Sequence, residues 1–191
     1  MIEIRWHGRG GQGAVTASKI LSSAVIAEGS YSQSNPDYGA ERSGAPLRTY
    51  NRVSKKPLTL HCMVTNPNIV VVIDPTLLDE VDILEGTDEN AILIINTSLS
   101  PKEIREKYNI KGRKIYTLNA TDIALEEIKR PATNIPMLGA LVKVLYELEG
   151  LPKLETVENE VKETFGKKLS PEVLEGNLRA LKRGYNELIS E

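Results

Sequence analysis

The middle of the chain carries three short apolar runs separated by polar and turn-forming residues. Residues 69–73 and 91–95 are unbroken runs, and residues 114–118 repeat the pattern more loosely. Runs of this length, rich in β-branched side chains, are typical of strands buried on both faces of a parallel sheet. Helix-start signals follow, because Asp74 precedes a proline and residues 100–103 have the sequence of a capping box.

The alternation of strand and helix begins at residue 2. Residues 2–7 predict a strand and residues 14–27 a helix, and further strands are predicted at 31–34, 47–51 and 58–64. This order implies an α/β fold with a mostly parallel, Rossmann-like sheet and helices on both faces. The carboxyl ends of parallel strands then share one rim, where such sheets bind ligands.

The C-terminal part of the chain predicts helices only. Residues 137–148 form a strongly apolar core helix, for which Asn134 is the predicted N-cap. Two more helices follow, each with a narrow apolar stripe, and the second stripe extends to Leu188. Because a narrow stripe packs on one neighbour, we predict a single domain over residues 1–191, with a two-helix extension at 153–191 packed on it rather than on another subunit.

A glycine-rich turn joins the first strand to the first helix, with the spacing G-x-G-x-x-G. That spacing allows a tight turn and a close backbone approach, and the unpartnered N–H groups of the helix start can hold a phosphate or carboxylate. Arg9 could add a guanidinium fork or be a solvated side chain, and a purely structural turn is the alternative for the whole motif. The candidate binding residues are Gly8, Arg9, Gly10, Gly11, Gln12 and Gly13.

The residue that would read a ribose is missing. A dinucleotide fingerprint requires an acidic side chain at the end of the second strand, about 20 residues after the glycines. Asp37 is the nearest candidate, but it follows a proline and is better explained as a turn residue. The glycine turn therefore does not by itself indicate a nicotinamide enzyme.

A loop of about 12 residues, 35–46, follows the second predicted strand. It is longer than most connections, and its tyrosine and arginine are residue types favoured at interfaces. A solvated loop that binds nothing is the equal alternative. The candidate partner-facing residues are Tyr38, Gly39, Glu41, Arg42 and Gly44.

Composition excludes several function classes. Lys plus Arg is 24 and Asp plus Glu is 26, so a net charge of −2 gives no reason to expect nucleic acid. No apolar run approaches the length of a membrane span and no signal segment is evident, so we expect a cytoplasmic protein that does not bind membranes.

Cys62 is the single cysteine, and no catalytic residue or metal site is predicted. An iron–sulfur cluster usually takes four thiolates, so this chain cannot hold one alone. His61 precedes Cys62 in a predicted strand, where neighbours point to opposite faces, so we expect buried or satisfied side chains rather than a reactive pair.

Two motifs together carry a family resemblance. The glycine turn 8–13, the segment 38–46 (YGAERSGAP) and, later, residues 134–139 resemble the gamma subunit of 2-oxoacid:ferredoxin oxidoreductases, with the pyruvate synthase branch (pyruvate:ferredoxin oxidoreductase) nearest in appearance. The resemblance extends from about residue 2 into the C-terminal helices. Ser43 stands where the second motif commonly has a glycine.

The resemblance implies a subunit that is not catalytic alone. The family's complexes oxidatively decarboxylate a 2-oxoacid, reduce ferredoxin and transfer the acyl group to coenzyme A. It implies alpha, beta and delta-type partner subunits, which hold thiamine diphosphate and the iron–sulfur clusters, and a role for this chain in binding coenzyme A. We expect the backbone donors of Gly10 to Gly13, with Arg9, to hold the phosphate-rich end of the coenzyme.

Two other interpretations stay open from the sequence. The chain could be a scaffold that stabilises the complex, or a free-standing nucleotide- or flavin-binding oxidoreductase. The sequence does not specify the 2-oxoacid, the subunit stoichiometry or the reaction direction.

Overall fold

A computed structural model describes residues 1–37 and 43–191. Seven strands form one sheet in the order β2-β3-β1-β4-β5-β6-β7. The strands are β1 (Ile2–Arg9), β2 (Tyr31–Pro36), β3 (Pro46–Ser54), β4 (Ile69–Val72), β5 (Ile92–Asn96), β6 (Lys114–Leu118) and β7 (Ile189–Ser190).

The centre of the sheet is parallel and its edges are mixed. Strands β1, β4, β5 and β6 are parallel neighbours, whereas β3 and β7 run antiparallel to the strands beside them. Strand β2 pairs antiparallel with β3 and so points the same way as β1. The predicted α/β class with a mostly parallel sheet is confirmed, and every residue of β4 is buried, as its unbroken apolar sequence indicates.

Six α-helices and one short 3₁₀ helix, Pro75–Leu78, complete the chain. The α-helices are α1 (Ala14–Ala27), α2 (Pro101–Tyr108), α3 (Ala120–Glu127), α4 (Asn134–Glu149), α5 (Leu154–Phe165) and α6 (Pro171–Asn186). The Ser100 capping box forms as predicted, since the Ser100 hydroxyl accepts from the Glu103 N–H and the Glu103 carboxylate accepts from the Ser100 N–H. Asp74 likewise caps the 3₁₀ helix.

The larger core lies on one face of the sheet. Apolar side chains of α1, α4, α5 and α6 form one continuous cluster with the strands, so both C-terminal helices pack on this chain. Helices α4 and α6 cross closely: a Cβ on Gly139 would meet the Leu181 carbonyl, and one on Gly184 the Pro136 carbonyl. A smaller cluster, under α2 and the 3₁₀ helix, covers the other face.

Four sequence-based predictions are wrong. Residues 58–64 form no strand, and His61 and Cys62 are both exposed on this irregular segment. Leu188 lies beyond the end of α6, in the approach to β7, which the sequence did not predict. Asn134 is inside the first turn of α4, whose N-cap is Thr133. Each error concerns a place where neighbouring segments, rather than local pattern, decide the conformation.

Among the helices that the structure describes, none is both long and apolar enough to cross a bilayer.

Candidate functional site

Polar turns collect at the carboxyl ends of the parallel strands, as the topology predicts. The glycine turn begins in the last two residues of β1, Asp74 follows β4, and Asn96 ends β5. The Asn96 amide donates to the Ile73 carbonyl (2.9 Å) and to the Thr121 hydroxyl (3.1 Å), which joins three strand ends in one rim.

The glycine turn, residues 8–13, depends on two left-handed glycines. Gly11 has φ +91° and Gly13 has φ +80°, and Gly13 caps α1 by accepting the N–H of Ala17. A Cβ on Gly13 would lie 2.6 Å from the Asn134 amide nitrogen, so both conformation and space require glycine here. Gly8 is different, because it lies inside β1 and is buried.

Asn134 serves the glycine turn rather than capping its own helix. Its Nδ2 donates to the Gly13 carbonyl at 3.3 Å, and the residue is buried. Sequence reasoning missed this contact because 121 residues separate the two positions. The only signal was that residues 134–139 accompany the glycine motif in the family resemblance.

The side chains of Arg9 and Gln12 form hydrogen bonds within the protein rather than pointing freely into solvent. The Arg9 guanidinium donates from Nε to Asp74 (3.2 Å) and from Nη2 to Glu80 (2.5 Å). Its other contacts are the Thr76 hydroxyl and the Gly44 carbonyl. The hydrogen bond to Glu80 raises the pKa of Arg9 above its usual value. In this arrangement most of the guanidinium donors are occupied by the chain's own acceptors.

The glycine turn is also hydrogen-bonded to the end of the predicted partner-facing loop. The Gly10 N–H donates to the Ala45 carbonyl (2.9 Å), and the Gly44 N–H donates to the Gly10 carbonyl (3.1 Å). Gly44 itself is exposed and has φ +82°. The other residues predicted to face a partner lie outside the described residues: Tyr38, Gly39, Glu41 and Arg42.

A cleft of about 510 Å³ opens beside the glycine turn. One wall is the turn and the start of α1, and the other is built by the α3–α4 connection and the two C-terminal helices. The lining residues are Gly11, Gln12, Gly13, Thr16, Ile128, Arg130, Pro131, Ala132, Asn134, Ile135, Phe165, Leu169, Val173 and Asn177.

The two walls of the cleft differ in chemistry. The backbone N–H groups of Gly11 and Gly13 have no acceptor among the described residues, and neither carboxylates nor side-chain caps occupy the first turn of α1. This wall of the cleft therefore favours binding of an anion. The opposite wall is made apolar by Ile128, Phe165 and Leu169, and it also carries the exposed side chain of Arg130. Such a cleft suits a ligand with phosphates at one end and an apolar arm.

His61 and Cys62, which the sequence did not predict to be a reactive pair, lie away from this cleft. Both line a separate cavity of about 340 Å³ beside β2, where the Cys62 sulfur lies 3.7 Å from the Arg52 guanidinium. Within residues 1–37 and 43–191, no group of three His, Cys, Asp or Glu side chains is placed to hold a metal ion.

The sequence matches one protein family over nearly its whole length. The family model described as pyruvate ferredoxin/flavodoxin oxidoreductase covers residues 3–187, and the chain belongs to this family. Within the family it is a gamma-type subunit of a pyruvate or 2-oxoacid:ferredoxin oxidoreductase, and hence part of an oxidoreductase complex.

Two relatives match this chain over nearly the whole length of both sequences. The pyruvate synthase subunit PorC of Thermotoga maritima is 49% identical over 186 residues, covering 97% of this chain and 94% of its own. The common gamma subunit of the pyruvate/ketoisovalerate oxidoreductases of Pyrococcus furiosus is 44% identical over 187 residues, covering 98% and 97%.

Solved structures share the fold. The crystal structure of pyruvate oxidoreductase subunit PORC from Thermotoga maritima matches with TM-score 0.84 and 45% identity, covering all of this chain and 98% of the other. A 2-oxoglutarate:ferredoxin oxidoreductase from Magnetococcus marinus, solved with 2-oxoglutarate, coenzyme A and succinyl-CoA bound, matches with TM-score 0.71 and 20% identity. That match covers 97% of this chain and 30% of the other, and it shows the shared fold.

Proposed function

We propose that this subunit binds coenzyme A for a pyruvate:ferredoxin oxidoreductase, in the cleft beside the glycine turn. The observation that carries the proposal is the pairing of two kinds of wall in one cleft: backbone donors without an acceptor among the described residues on one side, and apolar side chains on the other. Coenzyme A has a phosphate-rich nucleotide and a long, weakly polar arm, and each part has a matching wall.

The two walls of the cleft would then have separate roles. The N–H groups of Gly11 and Gly13, with the start of α1, hold phosphate oxygens, and Arg130 adds positive charge from the opposite wall. The side chains of Phe165 and Leu169 exclude water from the arm. Gly8, Gly10, Arg9 and Gln12 contribute by shaping the turn. When bound, coenzyme A is the acyl acceptor of the reaction, and this chain holds and orients it without supplying a catalytic group.

The redox and thiamine chemistry is assigned to other chains of the complex. The chain has a single cysteine, which is exposed, and no cluster of metal-binding side chains is found among the described residues. These residues do not fit an iron–sulfur centre, which usually takes four thiolates. We therefore propose partner subunits of alpha, beta and delta type that carry thiamine diphosphate and the clusters and deliver electrons to ferredoxin. The partner-facing role of Tyr38, Gly39, Glu41, Arg42 and Gly44 and the cytoplasmic location remain predictions.

The proposal is tested with two variants from opposite sides of the cleft, in the complete complex. Thr16→Asp places a carboxylate where a phosphate would bind, although an acidic residue in this turn favours the helix itself. Arg130→Gln removes the cation. We expect the KM for coenzyme A to rise about tenfold for Thr16→Asp, which is about 1.4 kcal/mol, and about threefold for Arg130→Gln. The KM for the 2-oxoacid should not change.

Lys129→Gln is the matched control. It removes the same charge one residue away, from an exposed side chain that does not line the cleft. Its KM for coenzyme A should equal that of the wild type. An unchanged KM in both cleft variants would show that coenzyme A binds elsewhere and would favour a scaffold role for this chain.

A further inference from the structure

Asp74 lies at the centre of the contacts that shape the glycine turn. Strands β1 and β4 are parallel neighbours with His7 opposite Val72, so Arg9 and Asp74, each two residues further on, reach the rim at the same level. The Asp74 side chain is only 12% exposed. No ligand contact is assigned to it, since it does not line the cleft.

Each carboxylate oxygen of Asp74 accepts two hydrogen bonds. Oδ2 accepts from Arg9 Nε (3.2 Å) and from Gln12 Nε2 (2.6 Å). Oδ1 accepts from the N–H (2.9 Å) and the hydroxyl (2.6 Å) of Thr76. A carboxylate accepts at all of these positions, whereas a neutral amide of the same size offers one oxygen and two donors.

The contact with Asp74 fixes which way the Gln12 amide points. With its nitrogen on Asp74, its oxygen faces Arg9 and accepts the Arg9 N–H at 2.7 Å. The Gln12 N–H also donates to the Arg9 carbonyl at 3.0 Å. Residues 9 and 12 are therefore clamped together by two hydrogen bonds, while the N–H groups of Gly11 and Gly13 have no acceptor among the described residues.

The ionised form of Asp74 fits these hydrogen bonds, in all of which its oxygens accept. Its partial burial opposes the charge, but the hydrogen bonds from Thr76 and Gln12 and the charge of Arg9 hold the pKa of Asp74 below its usual range. The acceptor-only form of the side chain is thus the one present near neutral pH.

We propose that Asp74 is a positioning residue for coenzyme A: through Gln12 and Arg9 it selects the conformation of the glycine turn that presents its backbone donors to the phosphates. This inference rests on the proposed function of the cleft. It assigns to Arg9 and Gln12 the role of holding the turn rather than of touching the ligand.

The test is a charge exchange between positions 74 and 12 in the complete complex. Asp74→Asn places its amide nitrogen against the donors of Gln12 and Arg9 in one orientation, and against the N–H of Thr76 in the other. Gln12→Glu places two carboxylates in contact. Each single variant should raise the KM for coenzyme A about tenfold, the effect of one lost buried hydrogen bond, with little change in kcat.

The double variant Asp74→Asn/Gln12→Glu restores the hydrogen bond between residues 74 and 12 with donor and acceptor exchanged, although the longer contact from Arg9 Nε (3.2 Å) is lost. A carboxylate at 12 can accept both the Arg9 N–H and the amide at 74, and the total charge is that of the wild type. We expect its KM for coenzyme A to return to within about threefold of the wild-type value. Hydrogen exchange of the amides of residues 10–16 should be faster in the single variants and near normal in the double variant.

The control is Asp79→Asn, which removes an exposed carboxylate from the end of the same 3₁₀ helix and should change neither measurement. A double variant whose defect equals the product of the two single defects would overturn the inference. So would an unchanged KM in Asp74→Asn while Thr16→Asp raises it. If Thr16→Asp and Asp74→Asn both leave the KM unchanged, the proposed function fails together with the inference.

Discussion

His7 lies on the face of β1 that points away from α1, and it is 1% exposed. Its Nε2 accepts a hydrogen bond from Arg5 Nε at 3.0 Å, so the imidazole is held as an acceptor. Burial, with the nearby charges of Arg5 and Arg48, lowers the pKa of His7 to about 3. The residue is neutral in the folded chain over the whole physiological range.

This burial predicts a loss of stability in mild acid. The unfolded chain binds a proton at His7 below its ordinary pKa of about 6.5, and the folded chain does not until about pH 3, so stability falls as the pH drops through that window. Between pH 7 and pH 5 the contribution of His7 is about 2 kcal/mol. Urea unfolding at both pH values measures it.

His7→Gln keeps an acceptor for Arg5 but does not titrate. We expect it to lose about 2 kcal/mol less than the wild type between pH 7 and pH 5. Equal losses in the two proteins would mean that His7 is protonated, or reaches water, in the folded state.

Helix α6 packs closely against α4 because glycines at the crossing leave room for the two backbones. Gly184 and Gly139 lie where α6 crosses α4, and each would place a Cβ against a backbone carbonyl of the other helix. Backbone cannot move away as a flexible side chain can. The contact also matters for the cleft, because Val173 and Asn177 of α6 line it.

Gly184→Ala tests that crossing. In an exposed helix the change would stabilise by about 0.5–1 kcal/mol. Here we expect it to destabilise by about 1–3 kcal/mol, because α6 must move off α4. Urea unfolding of the chain measures the sign directly, and the complex should show a raised KM for coenzyme A because the cleft wall shifts.

Glu175→Ala is the matched control on the same helix, at an exposed position, and should change the free energy of unfolding by no more than about 0.5 kcal/mol. A stabilising Gly184→Ala would contradict the close crossing of the two helices.

Across the whole molecule, the glycine turn links the proposed ligand cleft to the predicted partner-facing loop. Gly10 exchanges backbone hydrogen bonds with Gly44 and Ala45, and Arg9 donates to the Gly44 carbonyl. A partner that contacts residues 43–46, as predicted, and a ligand bound at the turn would therefore act on the same short piece of backbone.

Replacing Tyr38, Glu41 and Arg42 together with alanine tests the partner-facing prediction. We expect the tagged chain to lose its co-purifying partner subunits, since tyrosine and arginine are frequent interface anchors. The circular dichroism spectrum of the isolated chain should not change. A matched triple-alanine control replaces the same residue types at Tyr146, Glu147 and Arg179, which are exposed on helices. Retained partners and turnover in the first variant would contradict the prediction.

Local pattern was sufficient for most of the elements. The bounds of α1 and β6 agree with the predictions from periodicity, and the capping box at Ser100 forms as its sequence indicates. These features depend on a few neighbouring residues, which the sequence displays side by side. Residues 58–64 have a strand-like alternation, but no strand forms there because pairing depends on a neighbour that local sequence does not show.

The sequence by itself determined the fold class, the glycine turn after β1 and the family to which the chain belongs. Only the tertiary structure decided how the turn is held: Asp74 orients Gln12 and Arg9, and Asn134 contacts Gly13. These partners lie 62 to 121 residues apart in the chain. Hydrogen bonds over such separations are set by strand order and helix packing, which arise from burial of the core as a whole, and a local pattern carries no record of them.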